Sequence, residues 1–594
     1  MADWHNSSVT GTSSSSSSPS EPSPLPYNSR RSPILCTNGC VASSQPLASS
    51  TGISILMKGG NAADAALATA AVLAVTEPCS TGLGGDMFSL YYDSSDKQVK
   101  CVNGSGRSPA NLNLDILKKE LPDGKGGVDP DRHRKSVHSI TVPGAARGWE
   151  NFYAKHSSGN FTFAELLEPA AKLAEKGFPV APITSVAWSN GVEQDIKKWV
   201  SKKGQKVPLS IDGRGPLPGE IFTNAEMADV LRSLGKNGAT EGFYEGFPGQ
   251  AIVDAVQKHG GFMTMDDLKE VNTQCTFPNS ISVEYKGLKL HQIPPNGQGV
   301  AGLIALSGLN ALEESGMIPP CVSHPQGSGW RSSQTWHAMI EMMRLGFADA
   351  RAFVCDEEYF KSIGTNCNTS SSEFLLDKDR ISERAKKVFD SENASIQGIP
   401  DPTSCTVSFQ VVDKDGNAVS FVNSNFMGFG TGLVPDGCGF TLQNRGAGFS
   451  LEESHPNVIE PRKRPFHTII PAMITHADTD ELYATLSNMG GFMQPQGHMQ
   501  LTVALASGLD PQAAIDQPRF CIADGTHNGT VLIEEGLDDM NILALSKRGH
   551  NMITNVKGFS KAIFGKAQII KRDRETGVLW AGSDGRSDGC AVGF

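Results

Sequence analysis

The stretch Thr406–Asp413 has the sequence TVSFQVVD, and after the turn KDGN the chain continues as AVSFVNS over Ala418–Ser424. Both runs are rich in β-branched and aromatic residues, and an Asp-Gly turn between such runs is typical of a β-hairpin. The polar segment 356–403 precedes the hairpin, ends in GIPDP and is predicted to be an exposed linker. The sequence therefore places a Thr at the point where a linker becomes a strand.

A Thr at such a junction can have a chemical role. If the bond between Cys405 and Thr406 is cut, Thr406 carries a hydroxyl nucleophile and a free α-amine, whose ordinary pKa of about 7.7–8.0 suits a base near neutral pH. The cut itself needs a hydroxyl at this position, because Oγ attacks the preceding carbonyl and water then hydrolyses the ester. The local pattern leaves open the alternative of an ordinary strand Thr that follows a loop.

Hairpins and helices are separated along the rest of the chain. Further strands are predicted at Met87–Tyr92, Gln98–Val102, Ile281–Ile293 as a hairpin, His467–Ile474, Leu482–Leu486, Thr530–Glu534, Ala567–Lys571 and Val578–Ala581. Helices are predicted at Gln45–Lys58, Asn61–Val75, Val300–Ser315, Gln334–Ala348, His498–Ser507 and Pro511–Asp516, with segment 147–257 mainly helical. Asn61 as N-cap and Asp64 three residues later predict a capping box at the start of the second helix. Sequential hairpins with helices clustered apart favour antiparallel sheets covered by helices over alternating βαβ units.

Composition excludes several classes of protein. The chain has 594 residues with 52 Lys and Arg against 63 Asp and Glu, and this net charge of −11 argues against a nucleic-acid partner. The twelve cysteines form no C-x-x-C pair, and no H-E-x-x-H, phosphate loop or G-x-G-x-x-G motif occurs, so no metal site and no cofactor are predicted. Residues 1–33 form a Ser/Pro-rich stretch without an apolar core, which predicts a disordered tail rather than a signal peptide, no membrane span and a cytoplasmic protein.

Several segments together resemble the γ-glutamyltransferase (glutathione hydrolase) family of N-terminal nucleophile hydrolases. They follow the family's order from about residue 34 to the C-terminus: GGNAADAA at 59–66, TGLGGD at 81–86, RSP at 107–109, TVPG at 141–144, VDKDGNAV at 412–419, FGTG at 429–432, KRP at 463–465 and GG at 490–491. The resemblance implies a four-layer αββα fold. It also implies a cut after Cys405, which separates the tail 1–33 with the heavy chain 34–405 from the light chain 406–594. The heavy and light chains together form one interlocked domain.

The same resemblance implies roles for particular residues. Thr406 matches the family's Thr that is both processing residue and nucleophile, and Ser424 stands where the family has a second Thr whose hydroxyl contacts it. Gly490 and Gly491 match the pair whose N–H groups form the oxyanion hole, since glycine leaves room for close approach. Arg107 matches the Arg that binds the substrate α-carboxylate, for which a planar bidentate guanidinium is well suited.

The sequence departs from the family where the substrate α-ammonium is held. The family has an acidic residue after an Asn-Gln pair, whereas this chain has Asn444 and Arg445 with no carboxylate nearby. A Ser-Ser pair of the family is replaced by His467 and Thr468; Thr468 could keep one hydroxyl contact, and His467 is either a replacement ligand or a strand residue. Losing the carboxylate weakens selection for an α-amino group, and Arg445 would favour a second carboxylate on the substrate.

The predicted function is hydrolysis, and in principle transfer, of γ-glutamyl amides such as glutathione, with water or an amine as acceptor. A glutaryl or cephalosporin-type acylase of the same fold is the alternative, because the pattern resembles divergent members of the family. An uncut, catalytically silent binding protein and hydrolysis through an exposed Cys405 are two further hypotheses.

Overall fold

Two antiparallel sheets lie face to face in the computed structural model, which describes residues 31–594 except 201–203, 270–272, 323–331, 363–369, 396–405 and 527–528. Residues 1–30 of the predicted tail and Cys405 thus lie outside the described residues. Apolar side chains from both sheets, such as Phe88, Val412 and Ile570, form the core between them. Separate cores join each sheet to helices on its outer face, and this αββα layering confirms the predicted fold.

One sheet contains the predicted hairpin of residues 406–424 and is called the β9 sheet. In spatial order its strands are β18 (Cys590–Gly593), β2 (Gly39–Ser43), β9 (Val407–Asp413), β10 (Ala418–Ser424), β3 (Asp86–Asp93) and β4 (Gln98–Gly104). The strands of the other sheet, called the β12 sheet, are β1 (Ile34–Cys36), β17 (Leu579–Ser583), β16 (Lys566–Arg572), β12 (Leu482–Met489), β11 (Ala472–His476), β8 (Leu288–Gln292) and β7 (Ile281–Tyr285). In both sheets, strands from before and after residue 405 are hydrogen-bonded neighbours.

Two small sheets lie outside this pair. They consist of β13 (Phe520–Ile522), β14 (Val531–Glu534) and β15 (Met552–Val556), and of β5 (Phe178–Pro179) with β6 (Ile221–Phe222). Strands β14 and β15 are parallel, unlike the pairs of the two large sheets.

The helices divide between the two outer faces. Those whose buried residues share a core with the β9 sheet are α1 (Pro46–Met57), α2 (Ala62–Thr76), α5 (Ala145–His156), α6 (Phe163–Lys176), α7 (Pro182–Gly191), α8 (Ala225–Ala239) and α9 (Phe247–Lys258). Those that share a core with the β12 sheet are α10 (Gly299–Glu314), α11 (Ser333–Phe353), α13 (Ser371–Leu375), α14 (Lys378–Val388), α15 (Met493–Ala506), α16 (Pro511–Ile515) and α17 (Asp539–Lys547). The short helices α3 (Leu114–Glu120), α4 (Pro130–Lys135) and α12 (Glu357–Ser362) complete the set in the described ranges. No helix in these ranges is long and apolar enough to cross a membrane.

Helix α2 shows how sequence determines position in this fold. Asn61 accepts a hydrogen bond from the N–H of Asp64 at 3.0 Å, and the Asp64 carboxylate accepts one from the N–H of Asn61 at 3.1 Å, which is the predicted capping box. Every residue of α2 is buried, as expected for an Ala-rich helix without a polar face. Its small side chains let the helix lie close against β9 and β10, so it supports the strand that follows Thr406.

The glycines of the TGLGGD and FGTG segments serve two different purposes. Gly430 and Gly432 have positive φ of 63° and 75°, as expected for tight turns. Gly84 and Gly85 do not have positive φ; instead a Cβ on Gly84 would lie 2.1 Å from the Thr441 carbonyl oxygen, and one on Gly85 2.3 Å from that of Ser424. This pair therefore serves close backbone packing, Gly84 against Thr441 and Gly85 against the end of β10.

Two sequence predictions need correction. The segment 356–403 is not simply an exposed linker, because it contains α12, α13 and α14, and Ile381 and Ala385 of α14 are buried in the core. Most residues of α14 are charged or polar, so the composition of the segment did not indicate this narrow apolar face. The strand predicted at His467–Ile474 begins only at Ala472 and extends to His476, and His467 makes an isolated bridge to Gly297.

Candidate active site

The start of β9 and the end of β10 place two hydroxyl groups side by side. Thr406 directly precedes β9 and Ser424 ends β10, and because the strands are antiparallel these ends are neighbours in the sheet. The Thr406 Oγ1 and Ser424 Oγ atoms are 3.0 Å apart, and both residues are fully buried in the described chain. Ser424 Oγ also accepts a hydrogen bond from the N–H of Phe426 at 2.9 Å, which fixes its position.

The side chain of Thr406 belongs to the face of β9 that meets the β12 sheet. Side chains alternate along a strand, so Thr406, Ser408 and Gln410 share one face. Gln410 on that face hydrogen-bonds to Ser487 and, at 2.5 Å, to Thr485 of β12. The hydroxyl pair therefore lies at one end of the interface between the two sheets, where polar groups replace the apolar core.

The paired glycines Gly490 and Gly491 form the turn that follows β12. Their φ values of 132° and 58° are conformations that side chains disfavour. The carbonyl of Gly491 accepts a hydrogen bond from Nε2 of Gln298 at 2.8 Å, whereas neither glycine N–H has an acceptor within the described part of the chain. Two adjacent N–H groups without acceptors are the feature that an oxyanion hole requires.

A buried carboxylate organises the opposite side of the hydroxyl pair. Asp86 begins β3 and is paired with Ser424 in the sheet register. Its Oδ1 accepts hydrogen bonds from the N–H groups of Gly106 and Gly144, each at 3.0 Å, and from Gln443 at 2.9 Å, while its Oδ2 is 3.0 Å from Nε2 of His467. This carboxylate thereby connects segments 104–107, 141–144, 443–445 and 466–468.

His467 uses both ring nitrogens inside the protein. Burial, and then the Arg445 charge, lower the pKa of His467 to about 3 despite the opposing effect of Asp86, so the ring is neutral. Because a carboxylate can only accept, Nε2 carries the proton, and Nδ1 accepts from the N–H of Ile469 at 3.4 Å. This arrangement supports a positioning role for His467 over that of a substrate ligand.

Arg445 is a fully buried cation that lacks an ion-pair partner among the described residues. Its Nη1 donates to Thr468 Oγ1 at 2.8 Å and its guanidinium lies 4.1 Å from the ring centre of Phe426. Its Nε and Nη2 have no hydrogen-bond partner in the ranges described. Burial lowers the pKa of Arg445 to about 9, with Asp86 opposing the shift. Free donors on a buried guanidinium fit an anion that binds beside the Ser424–Phe426 turn.

The other predicted binding residues already have partners. Arg107 Nη1 is 3.0 Å from Asp356 Oδ2 and donates to the Arg462 carbonyl at 2.9 Å, so a substrate carboxylate would have to share or displace Asp356. Asn444 donates to the Arg134 carbonyl at 3.0 Å and accepts from the N–H of Met427 at 3.2 Å. These two hydrogen bonds of Asn444 hold in place the loop that contains Arg445.

Asp86, Gln298 and Phe426 lie at the site but were not predicted from the sequence as site residues. Asp86 could have been predicted, because it directly follows Gly84 and Gly85 at the start of an apolar strand, and a carboxylate buried there must have hydrogen-bond partners. Gln298 donates to the carbonyls of both Thr468 and Gly491, which are 170 and 193 residues away, so no local pattern could reveal it.

Replacing Ser424 by Ala tests the hydroxyl pair. Loss of a hydrogen bond to a developing alkoxide costs about 1.5–3 kcal/mol, so we expect kcat for amide hydrolysis to fall about 10- to 100-fold. Ser424→Thr keeps the hydroxyl and should remain close to wild type in steady-state assays on a chromogenic anilide. Equal kcat in Ser424→Ala and wild type would show that the 3.0 Å contact has no catalytic role.

Comparison with known proteins gives extensive matches. A family model described as gamma-glutamyltranspeptidase matches residues 48–594. The glutathione hydrolase-like YwrD proenzyme of Bacillus subtilis (strain 168) is 36% identical over 566 residues, 94% of this chain and 99% of that protein. The glutathione hydrolase proenzyme of the same organism is 27% identical over 584 residues, 96% and 94% of the two chains. The crystal structure of cephalosporin acylase from Bacillus halodurans is 36% identical, with a TM-score of 0.82 and coverage of 97% of this chain and 99% of that one.

Proposed function

The chain belongs to the gamma-glutamyltranspeptidase family, and on this premise we propose that it is an N-terminal threonine amidohydrolase that cuts itself before Thr406. The contact of 3.0 Å between Thr406 Oγ1 and Ser424 Oγ is the observation that carries the proposal. Two relatives are named proenzymes, which supports processing in this chain. Cys405, on the other side of the proposed cut, lies outside the described residues.

Processing needs only the chain and water. Thr406 Oγ attacks the carbonyl carbon of Cys405, and the C–N bond breaks. The nitrogen takes up the proton that the hydroxyl loses and becomes the new α-amine. Water then hydrolyses the ester, which restores the Thr406 hydroxyl and leaves a carboxylate on Cys405. The buried Ser424 hydroxyl is in position to donate to Oγ as negative charge develops.

In turnover the α-amine of Thr406 acts as the base. It takes the Oγ proton as Oγ attacks the substrate amide, and it returns the proton to the leaving nitrogen when the C–N bond breaks. The N–H groups of Gly490 and Gly491 donate to the oxyanion in both tetrahedral intermediates. The amine then activates a water, which releases the acid and regenerates Thr406; an amine in place of that water would give transfer.

The acyl group that the site would accept follows from its charges. Arg107 and Arg445 supply two guanidinium groups, and Arg445 stands where an acidic residue would hold an α-ammonium. A guanidinium repels an ammonium by about 4 kcal/mol at 4 Å under surface-like screening, so acyl groups without an α-amine are favoured. We therefore place glutaryl-like amides ahead of γ-glutamyl amides such as glutathione on the charge of Arg445 alone, since a cephalosporin acylase and a glutathione hydrolase-like proenzyme match this chain at the same 36% identity.

A substrate comparison with one leaving group tests the order. Purified full-length protein is assayed with the p-nitroanilides of glutarate, γ-glutamate and butyrate, the last of which lacks the distal carboxylate. We expect kcat/KM for the glutaryl compound to exceed that for the γ-glutamyl compound by about tenfold or more, and that for the butyryl compound to be the lowest. A preference for the γ-glutamyl compound would contradict the role given to Arg445, and hydrolysis of none of them would favour a silent binding protein.

A further inference from the structure

A cluster of two histidines and a glutamate lies in the β12-side helical layer, apart from the candidate active site. His337 and Glu341 are one turn apart on α11, and His550 follows α17. All three are buried, and one potential ligand atom from each lies within 4.8 Å of those of the other two. We propose that His337, Glu341 and His550 bind a divalent transition-metal ion such as Zn²⁺.

The protons of the two histidines can be assigned from their partners. Nε2 of His337 is 2.7 Å from the carbonyl oxygen of Asp390, which can only accept, so the His337 proton is on Nε2 and Nδ1 is bare. Nε2 of His550 is 2.8 Å from that bare Nδ1 and must be the donor. In a neutral His550 ring, Nδ1 is therefore bare as well.

The assignment leaves two acceptors facing one another. His550 Nδ1 is 3.9 Å from Glu341 Oε1, and neither atom has a hydrogen bond within the described ranges. Two buried electron pairs in this position repel each other, and a metal ion placed between them would bind both and remove the repulsion.

The spacing suits a metal ion. Zinc takes imidazole nitrogen and carboxylate oxygen at about 2.0–2.2 Å, so two ligand atoms of one tetrahedral ion lie roughly 3.3–3.6 Å apart. The 3.9 Å between His550 Nδ1 and Glu341 Oε1 therefore needs to close by only a few tenths of an ångström. The hydrogen bond from His337 Nε2 to a backbone carbonyl is the outer contact that commonly orients a ligating histidine whose other nitrogen binds metal. His337 Nδ1 becomes the third ligand when its contact with His550 opens, and water completes the tetrahedron.

One neighbouring charge limits the affinity. Arg344 Nε lies 3.4 Å from the same Glu341 Oε1, so the ion competes with a guanidinium for this oxygen. We therefore expect weaker binding than in a closed structural zinc site.

The ion would join distant parts of the chain. Glu341 Oε2 accepts from the N–H of Ser395 at 3.2 Å, and Ala394 donates to the carbonyl of Arg548 at 2.6 Å. Ser395 lies 11 residues before Thr406 in the sequence, and Arg548 lies two residues before His550. The sequence offered no hint of this site, because His337 and His550 are 213 residues apart.

Cobalt binding by the full-length protein tests the proposal. Protein dialysed against chelator is titrated with Co²⁺ and followed by visible absorption. We expect d–d bands of a tetrahedral nitrogen and oxygen site that saturate at about one equivalent, that vanish on addition of Zn²⁺, and that lack the near-ultraviolet band of cysteine thiolate ligation. Absence of saturable bands, or a thiolate band in their place, would overturn the proposal without any variant being needed.

Variants assign the ligands. His550→Gln and Glu341→Gln should each weaken Co²⁺ binding at least about tenfold, whereas His259→Gln, at a partly exposed histidine beside Trp199, should not change it. Circular dichroism checks that each variant is folded, and anilide hydrolysis should persist because none of the three touches Thr406. Unchanged Co²⁺ binding by a folded His550→Gln protein would contradict the site.

Discussion

Replacing Thr406 by Ala is expected to leave the protein as one chain of 63.2 kDa and to lower amide hydrolysis by at least about 10⁴-fold. The hydroxyl is the attacking atom in both processing and turnover, so its loss removes both functions together. Wild type should instead show chains of 405 and 189 residues, about 43 and 20 kDa by mean residue mass, on a denaturing gel. Amino-terminal sequencing of the smaller chain should begin at Thr406.

Two further variants isolate the role of the hydroxyl. Thr406→Ser keeps Oγ and should still be cut, at a lower rate because its χ1 is less restricted. Ser408→Ala is the matched control: Ser408 is buried on the same face of β9, and its Oγ has no hydrogen-bond partner among the described residues, so this variant should process normally. A wild-type protein that stays in one piece, or a Thr406→Ala protein that is cut and active, would sink the proposed mechanism.

Replacing Arg445 by Met is expected to stabilise the fold while reducing activity. A buried guanidinium whose Nε and Nη2 lack partners in the described chain is costly, and Met fills a similar volume without a charge to desolvate. We expect Tm to rise by several degrees and kcat/KM for glutaryl anilide to fall about 100-fold, since a charge-assisted bidentate contact is lost. Differential scanning fluorimetry and steady-state kinetics measure the two effects.

A second arginine shows whether these effects are particular to Arg445. Arg232→Met is the matched control, because Arg232 pairs with Glu168 and Glu175 on the surface and should affect neither Tm nor KM strongly. If Arg445→Met lowered Tm and kept full activity, Arg445 would be structural.

Structural features were predicted correctly where their contacts join residues that are close together in the sequence. The hairpin β9–β10 and the capping box of α2 depend on residues within a few positions of each other, and both were predicted. Helix α14 was missed because only Ile381 and Ala385 of its charged sequence face the core. The contacts of Gln298 with Gly491 and of His337 with His550 come from distant segments, so only the folded chain reveals them. The roles of Thr406, Ser424, Gly490, Gly491 and Arg107 came from the resemblance and remain predictions.

The arrangement of strands has a consequence for the protein after processing. In the β9 sheet, β2, β3 and β4 come from before residue 405, and β18, β9 and β10 come from after it. β2 lies between β18 and β9, and β10 is paired with β3, so strands of the two future chains are hydrogen-bonded to each other at several places in one sheet. A cut before Thr406 would therefore leave two polypeptides that cannot part without dismantling both sheets. After the cut, an unfolded protein could refold only if its two chains met in solution, which is a bimolecular step, whereas the uncut chain folds in an intramolecular reaction. The mature enzyme would then persist through a slow unfolding rate rather than through reversible equilibrium, and the uncut precursor would be the form equipped to fold.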